Sequence, residues 1–80
     1  MSYKPYSTAD FSIVAALELN GIRPETEITL DTGKHIFMFD VSPELRRVLD
    51  AYLDGSLTGS LKAHADAVKY IAACVRKYGR

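Results

Sequence analysis

Eighty residues make one domain, and a chain of that length buries only roughly 60–65% of the surface it exposes when unfolded, so each large apolar residue counts. With 48% hydrophobic and 25% charged residues, the composition is that of a globular chain and excludes a disordered one. Ten basic residues balance ten acidic ones, which counts against a dedicated nucleic-acid binder, since phosphate contacts call for a cationic excess.

Cys74 is the single cysteine, so no internal disulfide can form, and the chain fits a reducing compartment. No window is long and apolar enough to span a membrane, and Met1-Ser2-Tyr3-Lys4-Pro5 lacks the apolar stretch of a signal peptide. The expected location is cytoplasmic.

In chain order, residues 1–6 read as an arm on a single domain spanning 1–80. Ser7 is expected to cap the first helix, paired with Asp10 in the manner of a capping box, with Tyr6 and Phe11 as a hydrophobic staple. Ile13, Val14, Ala15, Ala16, Leu17 and Leu19 leave that helix apolar around most of its circumference, which predicts the most buried helix of the fold. Asn20-Gly21 ends it, and Ile22 can fold back on Leu17. After Pro24, Glu25 to Leu30 alternates polar and apolar and predicts a half-buried strand. Asp31-Thr32-Gly33-Lys34 is a turn, and His35 to Phe39 is a second strand, completing a hairpin.

A two-residue Thr32-Gly33 loop would pair Ile28 with Phe37; a type I turn with a glycine bulge would pair Ile28 with Ile36 and Glu27 with Phe37. The bulge is preferred because threonine is poor at the positive φ that a type I′ turn demands. Ser42-Pro43-Glu44 starts a second helix whose stripe is Leu45, Val48, Leu49, Tyr52 and Leu53, with Arg46 and Asp50 spaced for an ion pair. Gly55 stops it, and a loop leads to a last helix from about Leu61 to Tyr78 with the stripe Leu61, Ala65, Val68, Ile71, Ala72 and Val75. The fold class is α+β in the order α-β-β-α-α: a two-stranded antiparallel hairpin packed against three helices.

Tyr6-Ser7-Thr8-Ala9-Asp10-Phe11, the alanine-rich helix ending at Gly21, Phe37-Met38-Phe39-Asp40, Ser42-Pro43-Glu44-Leu45 and Tyr52-Leu53-Asp54-Gly55 carry a resemblance. The pattern is similar to a family of small prokaryotic and viral proteins known only as domain of unknown function five-six-five-nine. It covers nearly the whole chain, weakens after Gly55, and implies a compact α+β domain carried by mobile elements. It brings no activity and no catalytic residues.

The residues themselves suggest a partner surface. The second strand is apolar on both faces, with Phe37 and Phe39 on one and Ile36 and Met38 on the other, whereas the first strand has only one apolar face. Ile36, Phe37, Met38 and Phe39 are therefore the candidate contact residues of a non-catalytic protein-interaction module, either a homodimer or a subunit of a larger complex. The competing reading is that the arm, with Tyr3 and Tyr6, folds over the exposed pair.

An alternative function is weak nucleic-acid binding, as an accessory protein of a mobile element or virus, through Arg46, Arg47, Arg76, Lys77 and Arg80. Against it, Glu44, Asp50 and Asp54 share the arginines' helix face, and the connection between the last two helices is longer than that of a helix-turn-helix. No metal or cofactor is expected: His64 and Cys74 lie nearly three turns apart, and Cys74 reads as a packed thiol. His35 is expected to be an exposed strand histidine opposite Thr29, with Glu27 diagonal to it. No enzyme is expected, because so thin a core leaves little room for a pocket.

Overall fold

The computed structural model describes residues 5–78, and the side chains of residues 5–76. Its elements are β1 (Tyr6–Thr8), α1 (Phe11–Leu19), β2 (Thr26–Thr29), β3 (His35–Phe39), α2 (Pro43–Asp54) and α3 (Leu61–Tyr78). The class is α+β, but the sheet has three antiparallel strands in the order β1-β3-β2, where the sequence predicted two.

The third strand comes from the expected arm. Tyr6 pairs with Phe39, Ser7 with Met38 and Thr8 with Phe37, so the segment adds to the sheet edge instead of lying over a face. Tyr6 packs its ring against Phe39 at 6.4 Å. Tyr3, the other tyrosine of the expected covering arm, lies outside the described residues. With Ser7 in the strand, the cap passes to Asp10: the Thr8 hydroxyl accepts the Asp10 N–H at 3.1 Å, and the Asp10 carboxylate accepts the Ser12 N–H at 2.8 Å. Two successive side-chain acceptors thus turn the chain from strand into helix.

α1 ends as expected, with Gly21 at φ 81° and the amides of Gly21 and Ile22 bonded back to the carbonyls of Glu18 and Leu17, both at 3.0 Å. The hairpin turn takes the bulged form. The Gly33 N–H reaches the Leu30 carbonyl, the Leu30 N–H reaches the Lys34 carbonyl, and Gly33 has φ 90°. That turn sets the register, pairing Ile28 with Ile36, Glu27 with Phe37 and Thr29 with His35. α2 begins with the Ser42 hydroxyl accepting the Leu45 N–H and ends at Gly55. Leu53, assigned to its apolar stripe, is 66% exposed. Eight residues of helix carry it about 80° around the axis from Leu45, off the buried face.

α3 departs further. Leu61 is 88% exposed and Ala65 is exposed, whereas His64, Ala67, Val68, Ile71 and Val75 form the inward stripe. The core brings Val14, Ala15 and Leu17 of α1, Leu45 and Val48 of α2 and Ile71 of α3 onto Phe37 and Phe39 of β3. Both α2 and α3 pack on α1, which lies between them and buries four consecutive residues, Val14 to Leu17. All three helices therefore contribute to one face of the sheet. The described part is 18 Å in its thinnest dimension, room for one layer of helix on one layer of sheet.

Candidate functional site

Four places merit description: the open sheet face, a buried histidine network, the basic residues, and a cleft among the helix ends.

On the sheet, the register puts Phe37, Phe39 and His35 on the helix-facing side and Ile36 and Met38 on the other. Phe37 and Phe39 are completely buried, so they belong to the core and leave the candidate contact surface. Ile36 and Met38 remain, half-buried at the centre of the open side, and Ile28 joins them, 43% exposed on β2. The polarity of β2 is thus the reverse of what its alternation suggested. Its apolar Ile28 faces out, and Glu27 and Thr29 face the helices' side.

Those two polar residues serve His35, which is 5% exposed where an exposed side chain was expected. Its Nδ1 lies 2.9 Å from the Thr29 hydroxyl and its Nε2 2.9 Å from the Glu27 carboxylate. The ring meets Phe37 edge-on at 4.8 Å. Hydroxyl, imidazole and carboxylate in a row carry the components of a proton relay. None of the three lines the cleft described below, so the arrangement reads as a polar clamp between β2 and β3.

Arg46 and Arg47 are exposed on α2 and Arg76 is exposed on α3. These helices make their main contacts with α1 rather than with each other, unlike the packed pair of a helix-turn-helix. The Lys77 side chain and Arg80 lie outside the described residues. Among the described residues, Arg46 and Asp50 form no ion pair, and the pair at that spacing is Lys62–Asp66 at 2.9 Å. Cys74 is half-buried. Among the described residues no three potential metal ligands cluster, and no helix is long and apolar enough to cross a membrane.

The cleft was not foreseen. It has a volume of about 430 Å³ and lies between the end of α1, the end of α2, the loop that follows and the first turn of α3. Its side chains include Leu19, Asn20, Tyr52, Leu57, Ser60 and His64, and among the described residues no Asp, Glu, Lys or Arg lines it. His64 is fixed by the Ser12 carbonyl, 3.0 Å from its Nε2, and its ring lies 5.9 Å from that of Tyr52. The nearby Asp54 carboxylate is bound to Ser56 instead, whose hydroxyl and backbone N–H hold it below the usual carboxylate range. The sequence signal that would have helped is the spacing of His64 with Val68, Ile71 and Val75, which places an imidazole on the inward stripe.

No curated protein and no solved structure matches the chain. A family model does, over residues 3–77, and by that match the chain belongs to the family described as Domain of unknown function (DUF5659).

Proposed function

We propose that the protein is a non-catalytic interaction module that pairs with a second copy of itself through the open face of its sheet. The observation that carries this reading is the inequality of the two faces. One is closed by three helices over Phe37 and Phe39; the other presents Ile28, Ile36 and Met38. Leu30, just past β2, is also 44% exposed. An apolar sheet face left open to water gains free energy when a partner covers it. Two such sheets can stack about 10 Å apart with their side chains interdigitated.

A second copy suits the face because the face is self-complementary. Its polar members are the uncharged Ser7 and Thr26, opposite Met38. The exposed Lys34 precedes β3 and the exposed Asp40 follows it, so an antiparallel stack brings each lysine end to the partner's aspartate end.

Light scattering coupled to size-exclusion chromatography tests this across a range of protein concentrations. The expected mass rises to twice that of the chain. Ile36→Lys and Met38→Lys should each give a monomer with an unchanged circular dichroism spectrum. Wild-type protein that stays monomeric at high concentration, or folded lysine variants that associate as before, would refute the proposal.

A further inference from the structure

We propose that the cleft between the helix ends binds a small uncharged molecule with a flat apolar body and at least one N–H or O–H donor. The site is independent of the open sheet face: all its lining residues come from α1, α2, α3 and the loops at their ends. Its volume of about 430 Å³ falls in the lower part of the range, roughly 300–1,000 Å³, that holds small ligands.

Ligand charge follows from the lining. Among the described residues no formally charged side chain borders the cleft. A carboxylate or ammonium entering it would lose hydration with no side-chain counter-charge in return. The flat body follows from the walls, where Leu19, Leu57 and Leu61 supply apolar surface beside the rings of Tyr52 and His64.

The donor follows from the tautomer of His64. A carbonyl oxygen can only accept, so the contact of 3.0 Å between Nε2 and the Ser12 carbonyl places a proton on Nε2. In the neutral ring Nδ1 then carries a lone pair, and among the described residues no protein donor is bonded to it. Asn20 adds a second acceptor: one N–H of its amide donates to the Ala16 carbonyl at 2.8 Å, which fixes the side chain whose amide oxygen can accept. These two acceptors, held by bonds to the backbone, give a donating ligand its partners, beside the hydroxyls of Tyr52, Thr58 and Ser60.

Phenol, indole, toluene and benzoate, titrated into the intact protein while NMR follows the ring signals of His64 and Tyr52, test the assignment. Phenol and indole should give saturable shifts centred on those rings. Toluene, which lacks a donor, should bind about tenfold more weakly, one modest hydrogen bond being worth about 1.4 kcal/mol. Benzoate should not saturate. His64→Phe, read at Tyr52, should narrow the gap between phenol and toluene, with the Asn20 oxygen still able to accept. Ala63→Leu, at an exposed helical position on the cleft wall, should weaken every probe without threatening the fold. The proposal is overturned by unsaturated phenol and indole titrations, by benzoate or toluene binding as tightly as phenol, or by Ala63→Leu retaining wild-type affinity.

Discussion

Glu27→Ala would leave the Nε2 of His35 without its carboxylate partner, in a ring whose side chain is 2% exposed. An unsatisfied polar group at that depth costs about 1–3 kcal/mol. Urea unfolding should show Glu27→Ala destabilised by about 2 kcal/mol, with Glu27→Gln, which can still accept a hydrogen bond, losing less. An unchanged midpoint for Glu27→Ala would mean that water takes over the contact. The placement of His35 opposite Thr29 and diagonal to Glu27 was legible, because the turn fixes the register. Its burial was not. Alternation shows which residues of β2 share a face, but not which face meets the helices. The large rings of Phe37 and Phe39 decide that, and they draw Glu27 and Thr29 inward with them.

Among the elements, α2 and the hairpin turn were legible because local chemistry specifies them. Pro43 follows the Ser42 cap, Gly55 takes φ 82°, and Gly33 takes the left-handed position of the bulge. β1 was not legible. Its three residues, Tyr6 to Thr8, show no period, and its partner Phe39 lies more than thirty residues away along the chain. Missing that strand displaced the cap, because Ser7 has the right chemistry but is occupied in the sheet. A pair of variants separates the two assignments. Asp10→Ala should cost about 1 kcal/mol, as loss of an N-cap acceptor does. Ser7→Ala, on the open side of an edge strand, should change stability by less than about 0.5 kcal/mol. Thermal melts of both give the order directly, and a larger loss at Ser7 would return the cap to it.

At the scale of the whole molecule, the sheet has one closed side and one open side, and β3 contributes large apolar residues to both. At 0.05–0.15 kcal/mol per residue, a chain of 80 residues has a total stability of roughly 4–12 kcal/mol. Phe37→Ala removes a fully buried ring that touches Phe11 edge-on at 6.0 Å, and a loss of about 3–5 kcal/mol takes much of that total. Ile36→Ala, one residue away on the other side, should cost about 1 kcal/mol in the isolated chain, since its side chain is only half-buried. Protein concentration then separates fold from assembly. A partner that covers the open side stabilises the folded state by mass action, and removing Ile36 weakens that coupling. The cost of Ile36→Ala should therefore grow as the protein is concentrated, while that of Phe37→Ala stays nearly fixed. Chemical unfolding of both variants at several concentrations measures this. A cost for Ile36→Ala that does not change with concentration would mean that the open side stays uncovered by a second copy.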